Sequence, residues 1–440
     1  MSFTSLKLSS KLLETIAELG YTTPTEIQTK SIPLLLKKKD VLATSQTGTG
    51  KTAAFVLPML ENLKEDHEQK KGDERYKIKV LVLAPTRELV IQIDQKIEAY
   101  SKNFAHKSVA LYGGVKLGSQ VSAIRAGANI AVGTTARVLD HVKNGSLNLS
   151  EVEVVILDEA DKMLEMGFID DIRKIIALLP AQRHSVMFSA TFPKPIISLA
   201  KSFLNNAITV EIDKENLSTK QVKQLVNYVN EEEKMPLLST IIKQNGWEQI
   251  LIFTNTKVQA DKIAQHLNEK KLKAKAIHGD KTQGMRMEAL KAFKAKSIRI
   301  LVATDVAARG IDIINLPHVI NFELPLKNED YVHRIGRTGR AGQEGVALSL
   351  VCEKEVAQLK EIETLINKKL EPLETDNFEF SPHITLTNRK VKKEKRKSGV
   401  NLKLAKQMAE KMLGNDKSSQ KSTQNKKKPG GQKPTNKRHF

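Results

Sequence analysis

The sequence predicts an α/β protein with two tandem domains built on parallel sheets, followed by a basic, disordered C-terminal tail. Three observations predict this arrangement. Short apolar runs rich in β-branched residues alternate with helical patterns, as in parallel sheets buried on both faces. This alternation stops over the polar stretch 213–221 and then starts again. Beyond residue 373 large apolar residues become rare and lysines accumulate. We therefore expect domains over 1–212 and 222–373, a linker over 213–221 and a disordered tail over 374–440.

The predicted strands follow one another at regular intervals in both halves. In the first half they are 40–43, 80–85, 129–134, 152–158, 185–190 and 208–212. In the second half they are 224–229, 249–255, 276–279, 299–305, 318–323 and 346–351, with a terminal helix over 353–370. The mixed-charge insertion 64–77 is expected to be an exposed loop without an assigned role.

The charge of the chain is unevenly distributed. The 440 residues include 71 Lys or Arg and 50 Asp or Glu, a net charge of +21. Residues 389–440 contain 18 Lys or Arg against 3 Asp or Glu, so most of the excess lies in the tail. A basic tail on a nearly balanced body indicates nucleic acid or another polyanion as a partner. Within the tail, residues 402–413 have a helical pattern, for which a docking helix and a transient solvated helix both stay open.

Cysteine content and hydropathy indicate the compartment. The single cysteine, Cys352, excludes a disulfide framework and suits a reducing cytoplasm. No apolar run approaches the ~20 residues that a membrane helix needs, and the N-terminus lacks the hydrophobic region of a signal peptide. We therefore expect a cytoplasmic protein without a membrane partner.

The stretch SQTGTGKT, residues 45–52, is a candidate phosphate-binding loop. It follows a predicted strand and precedes a predicted helix, so bound phosphates would lie at the positive end of that helix. Gly48 and Gly50 would let the backbone approach, Lys51 would neutralise charge and Thr52 would bind magnesium. Ser45 replaces the first glycine of the usual pattern. A flexible turn is the alternative for the loop taken alone.

Acidic residues follow the predicted strand 152–158. In VEVVILDEAD the strand ends at Asp158, Glu159 and Asp161. A magnesium–phosphate site needs one carboxylate near the ion and another that orients or deprotonates the attacking water. Taken alone this is a polar turn. Together with the candidate phosphate loop, it makes Asp158 the residue on the metal side and Glu159 the candidate base.

Arginines recur in the second half of the chain. YVHRIGRTGRAG contains Arg334, Arg337 and Arg340 at three-residue spacing. Guanidinium groups stabilise the charge that develops in phosphoryl transfer, and arginines supplied from a second domain make hydrolysis depend on closure. A basic turn that contacts solvent or a phosphate backbone is the alternative.

Taken together and in order, these motifs resemble those of the DEAD-box ATP-dependent RNA helicases, over Phe3 to Leu373. The stretches KTQGMR and VINFELP are similar to the bacterial RhlE-type branch. The resemblance implies two RecA-like domains, with ATP and Mg²⁺ as ligands. It makes Lys51, Asp158, Glu159, Arg337 and Arg340 the catalytic set, with Thr52 and Asp158 on the metal.

The resemblance also assigns residues to ATP and to coupling. In the Q motif, residues 20–28, Gln28 would recognise the adenine edge, Tyr21 would stack on its face, and Phe3 matches an upstream aromatic residue. The implied ATP-binding residues are Phe3, Tyr21, Gln28, Ser45, Gln46, Thr47, Gly48, Thr49, Gly50, Lys51, Thr52 and Asp312, which would contact the ribose. Asp161, Ser189 and Thr191 would couple the ATP site to RNA-driven closure.

A further set resembles the family's RNA-backbone contacts, which would be independent of base sequence. These residues are Pro85, Thr86, Arg87, Gly113, Gly114, Thr134, Arg137, Thr254, Gly279, Gln283, Arg286 and Thr304. One stretch departs from the family, which usually has Thr-Pro-Gly-Arg where this chain has TTAR over 134–137. Thr135 and Ala136 lack the fixed φ of proline and the close approach of glycine, so we expect a looser or rearranged contact there.

The implied function is RNA-stimulated ATP hydrolysis that drives two domains together and opens short RNA duplexes. Three alternatives stay open: a DNA-directed helicase of the same superfamily, a non-enzymatic ATP-gated RNA clamp, and an RNA chaperone acting through the tail alone. Gln28 with DEAD argues against the first, and the intact catalytic residues argue against the second. The complete set of cleft motifs argues against the third. The basic tail would bind structured RNA, with ribosomal or RNA-degradation partners as candidates and ribosome assembly as one possible pathway.

Overall fold

The structure is a computed structural model that describes residues 2–44, 49–63, 77–212, 222–308, 313, 315–339 and 344–373. Several predicted features lie outside these described residues. They are the linker 213–221, the tail 374–440 with its helix 402–413, and all of the loop 64–77 except Lys77. Among the described residues, no helix combines the length and the apolar character needed to cross a bilayer.

The first domain is built on a seven-stranded sheet in which every neighbouring pair is parallel. The strand order is β3-β4-β2-β5-β6-β1-β7. The strands are β1 Val41–Thr44, β2 Val80–Leu83, β3 Ser108–Leu111, β4 Ile130–Gly133, β5 Val154–Leu157, β6 His184–Ser189 and β7 Ile208–Val210.

Helices cover both faces of this sheet. They are α1 Ser10–Glu18, α2 Glu26–Leu36, α3 Lys51–Asn62, α4 Arg87–Tyr100, α5 Leu117–Arg125, α6 Thr135–Lys143, α7 Ala160–Glu165, α8 Ile169–Ile176 and α9 Lys194–Phe203. Strand β2 shows why the sheet is buried on two sides. Val80 and Val82 pack into the core on one face, while Leu81 and Leu83 pack into the core on the other. Because successive side chains point to opposite faces, a continuous apolar strand requires helices on both.

The second domain repeats this architecture. Its strands are β8 Val222–Tyr228, β9 Ile250–Thr254, β10 Ala274–Ile277, β11 Ile300–Thr304, β12 His318–Asn321, β13 Gly345–Val351 and β14 Glu371–Pro372. Their order is β10-β11-β9-β12-β13-β8-β14, again all parallel. Counted from the first strand of each domain, the two sheets have the same order. The helices are α10 Lys234–Gln244, α11 Lys257–Glu269, α12 Gln283–Lys294, α13 Asp305–Ala308, α14 Asn328–Ile335 and α15 Val356–Ile366.

The prediction of two α/β domains with parallel sheets is confirmed, and its errors concern strand number and helix length. Strand β3 was missed because the sequence SVAL is short and lies at the edge of its sheet, where alternating polar residues are tolerated. Strand β14 was missed because it has only two residues. The terminal helix predicted over 353–370 covers Val356–Ile366. It ends where Asn367 adopts a left-handed backbone conformation.

A buried carboxylate joins the amino ends of three strands in the first domain. Asp40 precedes β1 and is 8% exposed. One of its oxygens accepts a hydrogen bond from the backbone N–H of Ser185 in β6 at 2.9 Å. The other accepts from the N–H of Asn205, just before β7, at 2.7 Å. Asp40 therefore connects β1 to both of its neighbours in the sheet.

Replacing Asp40 with alanine should destabilise the first domain alone. Two buried N–H groups would lose their acceptor, at a cost of roughly 2–4 kcal/mol in the free energy of unfolding. The only tryptophan, Trp247, lies in the second domain, so its fluorescence reports unfolding of that domain. In urea, the circular dichroism transition should move to lower denaturant while the fluorescence transition stays in place. Asp170→Ala, which removes an exposed pair with Arg173, is the control, with an effect within about 0.5 kcal/mol. Equal shifts of both transitions in Asp40→Ala would contradict the assignment.

Candidate functional site

The carboxyl ends of three adjacent strands bring together the phosphate loop, the acidic motif 158–161 and the SAT motif, residues 189–191. Strands β5, β6 and β1 are neighbours in the sheet. The loop that includes Lys51 follows β1, Asp158 follows β5, and Ser189 ends β6. Crevices beyond the carboxyl ends of parallel strands are the usual ligand sites of open α/β sheets. Of the loop itself, Ser45, Gln46, Thr47 and Gly48 lie outside the described residues.

Gly50 and Gln28 connect the Q motif to the start of α3. Gly50 has a φ of +91° and immediately precedes the first helical residue, Lys51. The Gln28 side-chain N–H donates to the Gly50 carbonyl at 3.1 Å. A Cβ atom at position 50 would lie 2.5 Å from Nε2 of Gln28 and 3.0 Å from Oγ1 of Thr25. The contact and the positive φ both require glycine here.

The Gln28 amide has hydrogen-bonding capacity left for a ligand. Its oxygen accepts from the Thr25 backbone N–H at 2.9 Å, and its nitrogen donates to Gly50. A primary amide has two donors and two acceptor lone pairs. One of each remains, which is the pair needed to recognise an adenine edge.

The two aromatic residues assigned to ATP occupy different environments. Phe3 is buried in the core of the first domain, where it lies in a 3₁₀ turn, Phe3–Leu6. Tyr21 is half-buried, and its hydroxyl accepts from Nζ of Lys96 at 3.0 Å and from the Tyr100 hydroxyl at 3.3 Å. Phe3 thus supports the Q motif from inside, whereas Tyr21 retains accessible surface.

Lys51 lies in a buried cluster of opposite charges. Its Nζ is 3.2 Å from Oδ1 of Asp158 and 3.7 Å from Oε1 of Glu159. Burial acts to lower the pKa of Lys51, but the carboxylates of Asp158, Glu159 and Asp161 outweigh it, and the pKa lies above its ordinary value. Lys51 is therefore protonated and is poised to exchange a carboxylate for a phosphate.

Glu159 is held ionised from several sides. Burial acts to raise its pKa, but the charges of Lys162, Lys51 and Arg337 prevail, and the pKa is lowered. Nζ of Lys162 donates to Oε2 of Glu159 at 3.1 Å. The backbone of Glu159 has a φ of +54°, a left-handed conformation that is uncommon outside glycine. Such strain is found at functional sites, where the surrounding structure enforces it.

The carboxylate of Asp158 fits the magnesium ion that accompanies ATP. Asp158 is 1% exposed, and its Oδ1 receives no hydrogen bond, although the Lys51 ammonium lies 3.2 Å away. Burial and the neighbouring Glu159 raise the pKa of Asp158 against the opposing effect of Lys51. Within the described ranges, no group of three or more His, Cys, Asp or Glu side chains could hold a metal. Magnesium is commonly bound by one or two carboxylates together with phosphate oxygens and water. Asp158 with Thr52, in the first turn of α3, suits that arrangement.

Asp161 links the acidic motif to SAT. Its Oδ2 accepts from the backbone N–H groups of Ala190 and Thr191, at 3.2 and 3.0 Å, and from the Thr191 hydroxyl at 3.1 Å. The Ser189 hydroxyl donates to the Thr191 carbonyl at 2.7 Å. Movement of either loop would therefore displace the other.

Of the three candidate arginines, Arg337 and Arg334 are described by the structure and have different surroundings. Arg337 is 4% exposed, and its charge contributes to the lowered pKa of Glu159 in the first domain. Arg334 lies within the second domain. Its guanidinium donates to both oxygens of Asp305, at 2.6 and 2.7 Å, and to Asn255 at 3.0 Å. Despite its regular spacing from Arg337 in the sequence, Arg334 therefore makes contacts inside its own domain. Arg340 and Asp312 lie outside the described residues.

In the first domain, the residues assigned to RNA follow the other three adjacent strands, β3, β4 and β2. Pro85 and Thr86 come after β2, and the Thr86 hydroxyl accepts from the Leu89 N–H at the start of α4. The Arg87 guanidinium covers the Gly113–Gly114 pair after β3. A Cβ atom would lie 3.4 Å from this guanidinium at position 113. At position 114, where φ is +84°, it would lie closer still. The three motifs thus form one surface.

The departure TTAR is accommodated at the start of α6. Thr134 occupies the N-cap position without a side-chain capping hydrogen bond, and Thr135 takes the first helical position, where proline is normally favoured. Thr135 is 1% exposed, and its hydroxyl has no hydrogen-bond partner. The Arg137 guanidinium turns inward and donates to the Val115 carbonyl and to Gln120. The retained arginine is therefore used largely within the domain.

In the second domain, the residues assigned to RNA lie after β9, β10 and β11, which are also adjacent. Gly279 is exposed, whereas Thr304 is 7% exposed. Thr254 has no exposed surface, and its hydroxyl donates to Glu323 at 2.6 Å. Thr254 thus fixes a loop and does not face solvent in this structure.

Gln283 and Arg286 contact the first domain through Glu88. The Gln283 side-chain N–H donates to Oε1 of Glu88 at 3.1 Å, and Nη2 of Arg286 lies 2.9 Å from Oε2. Glu88 and Lys162 contact residues assigned to RNA and to catalysis, although the sequence pattern did not single them out. Their positions next to Arg87 and Asp161 were the available signal. The partners of Glu88 are distant in sequence, whereas Lys162 pairs with Glu159 three residues earlier.

The fold and this site define a two-domain nucleoside triphosphatase of the P-loop, RecA-like class. Residues 25–199 match the family model DEAD/DEAH box helicase, and residues 233–342 match the model Helicase conserved C-terminal domain. The chain is 41% identical over 373 residues to the DEAD-box ATP-dependent RNA helicase RhpA of Helicobacter pylori, covering 85% of this chain and 74% of that protein. It is 40% identical over 371 residues to the DEAD-box ATP-dependent RNA helicase CshA of Bacillus subtilis, covering 84% and 74%. The chain belongs to the DEAD-box family of ATP-dependent RNA helicases.

Solved structures agree with this assignment. S. cerevisiae Dbp5 bound to RNA and ADP BeF3 superposes with a TM-score of 0.76 at 31% identity, covering 85% of this chain and 96% of that one. A DEAD box protein from Methanococcus jannaschii gives a TM-score of 0.51 at 40% identity, covering 85% and 99%.

Replacing Glu88 with glutamine should weaken the contact between the domains. Arg286 would lose its carboxylate, so the ratio of closed to open molecules with RNA and ATP should fall by about tenfold or more. This ratio can be measured by fluorescence energy transfer between dyes attached at Lys102→Cys and Gln265→Cys. The native Cys352 is buried and should not be labelled. Glu288→Gln, which breaks a pair with Lys275 inside the second domain, is the matched control. An unchanged ratio in Glu88→Gln would rule out this contact as a stabiliser of closure.

Replacing Lys162 with methionine should shift the pH dependence of ATP hydrolysis. Lys162 lowers the pKa of Glu159, so its loss raises that pKa, and Glu159 is protonated at higher pH. The acid limb of the kcat profile should move up by roughly one pH unit, the effect of one nearby opposite charge. Lys174→Met, which removes an exposed lysine paired with Asp171, should leave the profile in place. An acid limb that does not move in Lys162→Met would show that ionisation of Glu159 does not limit hydrolysis.

Proposed function

We propose that the protein uses ATP binding and RNA binding together to draw its two domains closed, and that closure opens short RNA duplexes locally. The observation that supports this proposal is that charged groups of the two domains lie close together at two places. Arg337 acts on Glu159 at the ATP site, and Arg286 pairs with Glu88 at the RNA side. The superposition on an RNA-bound relative supports the same arrangement. Since both ligands favour the closed state, each strengthens binding of the other.

At the ATP site, Lys51 is proposed to exchange partners. It neutralises Asp158 in the present structure and would pair with the phosphates when ATP binds, at the positive end of α3. Gln28 would read the adenine edge with its remaining donor and acceptor. Asp158 and Thr52 would then hold magnesium. Magnesium, when bound, supplies positive charge that stabilises the transferring phosphoryl group.

Glu159 is proposed to orient the attacking water. With its lowered pKa it is a strong hydrogen-bond acceptor but a weak base while Lys51 is close. Departure of Lys51 toward phosphate would remove one of the charges that lower this pKa and would make Glu159 more basic. Arg337, with Arg340, would stabilise the developing negative charge, so hydrolysis would require closure.

RNA is proposed to bind across the carboxyl ends of β3, β4 and β2 in the first domain and of β10, β11 and β9 in the second. Arg87, Gly113 and Gly114 in the first domain, and Gly279 and Arg286 in the second, offer backbone and guanidinium groups suited to phosphates and 2′-hydroxyls. Asp161 would transmit closure from this surface to the ATP site, because it binds the SAT loop directly. A bend imposed on one strand would then separate it from a duplex partner.

Several finer assignments rest on the sequence. We propose domain limits of 1–212 and 222–373, and a tail over 374–440 that adds sequence-independent RNA affinity and contacts ribosomal or RNA-degradation proteins in the cytoplasm. Membership of the RhlE-type branch rests on the stretches 281–286 and 319–325. The relatives reported above are RhpA and CshA types, so the comparison supports the family and not that branch.

The decisive measurement is ATP hydrolysis by the full chain without nucleic acid, with single-stranded RNA and with DNA of matched sequence. Stimulation by RNA alone is expected, and Glu159→Gln should lose about a hundredfold or more in kcat while still binding ATP and RNA. Equal stimulation by DNA would favour a DNA-directed helicase. RNA binding that depends on ATP without hydrolysis would favour an ATP-gated clamp. Hydrolysis at the wild-type rate by Glu159→Gln would refute the role of this residue.

A further inference from the structure

We propose that Gln120 is a positioning residue that fixes the RNA-contact surface of the first domain by holding Arg137 and the loop around Gly113–Gly114 in one arrangement. This inference rests on the proposed function, because it concerns the RNA surface of the same cleft. Gln120 lies on α5, is 5% exposed, and belongs to none of the motifs that the sequence analysis singled out.

Gln120 connects two of the segments assigned to RNA. Its side-chain N–H donates to the Tyr112 carbonyl at 3.0 Å, directly before the glycine pair. Its oxygen accepts from Nη1 of Arg137 at 3.2 Å. Nη1 and Nη2 of Arg137 also donate to the Val115 carbonyl, directly after the glycine pair, both at 3.3 Å. The loop Tyr112–Val115 is therefore fastened at both ends, once by Gln120 and once by the arginine that Gln120 orients.

The donors of Arg137 are mostly consumed by these contacts. Nη1 has two N–H groups, which serve Val115 and Gln120, and one N–H of Nη2 serves Val115. Its Nε has no hydrogen-bond partner and lies 3.6 Å from the carboxylate of Asp140. Of the two remaining donors, the Nε–H is buried, so one N–H of Nη2 is left for an RNA phosphate. The main contribution of Arg137 is thus to shape the glycine loop, and that contribution depends on Gln120.

Arg137 fixes which way the Gln120 amide points, and the amide in turn fixes the proton on a buried histidine. Because Arg137 can only donate, the atom of Gln120 that faces it is the amide oxygen. The same oxygen lies 2.9 Å from Nε2 of His141, so that nitrogen carries the proton and donates. Nδ1 of His141 lies 2.8 Å from the Ser146 hydroxyl oxygen, which also lies 3.1 Å from the His141 carbonyl. Burial, with the nearby charge of Arg137, lowers the pKa of His141, in keeping with a neutral ring.

The contacts of Gln120 and Arg137 extend to Arg87 through Gly113 and Gly114. The Arg87 guanidinium packs on Gly113 and Gly114. A displaced loop would therefore displace Arg87, Gly113 and Gly114 relative to one another, although Gln120 itself touches no RNA. The expected consequence is weaker RNA binding with unchanged chemistry, because the ATP-site residues follow different strands.

The test compares Gln120→Leu, which removes the hydrogen bonds at similar volume, with Gln120→Glu, which keeps the acceptor for Arg137 and His141. In RNA-stimulated ATP hydrolysis, the RNA concentration for half-maximal rate should rise about tenfold in Gln120→Leu and less in Gln120→Glu. The kcat at saturating RNA and the Kd for ATP should stay within twofold. Ile124→Val, a buried apolar change on the same helix, is the matched control and should alter none of these.

A double-mutant cycle separates positioning from a general loss of packing. If Gln120 acts through Arg137, the Gln120→Leu, Arg137→Met double variant should bind RNA about as weakly as the worse single variant. If the fold-changes in RNA binding of the two single variants multiplied in the double variant, the two residues would act independently and the proposal would be overturned. An unchanged half-maximal RNA concentration in a folded Gln120→Leu would also overturn it. If Gln120→Leu does not fold, Gln120→Glu decides, and a value equal to wild type would overturn the proposal. A wild-type protein that RNA does not stimulate would overturn the proposed function as well.

Discussion

The site depends on the attraction between the Lys51 ammonium and the carboxylates that follow β5. These charges are buried, and each would be costly to leave unpaired. Because these charges compensate one another, Lys51 at the start of α3 and two neighbouring carboxylates can lie together in a buried site. The same balance keeps Glu159 ionised and holds the Asp158 carboxylate against the Lys51 ammonium.

The residues assigned to ATP and to RNA follow different halves of the parallel sheet. In the first domain, β5, β6 and β1 precede catalytic and coupling residues assigned to the ATP site, and β3, β4 and β2 precede residues assigned to RNA. The second domain repeats this order, so its RNA residues also follow three neighbouring strands. Because all carboxyl ends lie on one edge, the two sites are adjacent but carried by different loops. Asp161 and SAT lie on the ATP half, and Glu88 and Gln120 lie on the RNA half.

The sequence was sufficient for features that depend on local pattern. Continuous apolar strands predicted two parallel sheets, and strand–loop–helix context located Lys51 and Asp158. It was insufficient where a residue's importance comes from a distant partner. Arg334 and Arg337 look alike in the sequence, yet Asp305, far from both in the chain, binds only Arg334. Glu88 and Gln120 are ordinary polar residues until folding brings Arg286 and Arg137 to them. Strand β3 escaped detection because an edge strand of four residues needs little apolar pattern.

The repeated strand order places a second lysine at a position equivalent to that of Lys51. In the second domain, β8 occupies the place of β1, and Lys234 begins the helix that follows, as Lys51 does in the first. There, however, the intervening turn contains Glu231 to Glu233, and Nζ of Lys234 donates to Glu355 at 2.5 Å and to the Phe322 carbonyl at 3.0 Å. Both lysines are thus paired with carboxylates, but the partner of Lys234 lies 121 residues further along the chain, and a backbone carbonyl completes its contacts. The repeated helix start therefore anchors distant parts of the second domain to one another.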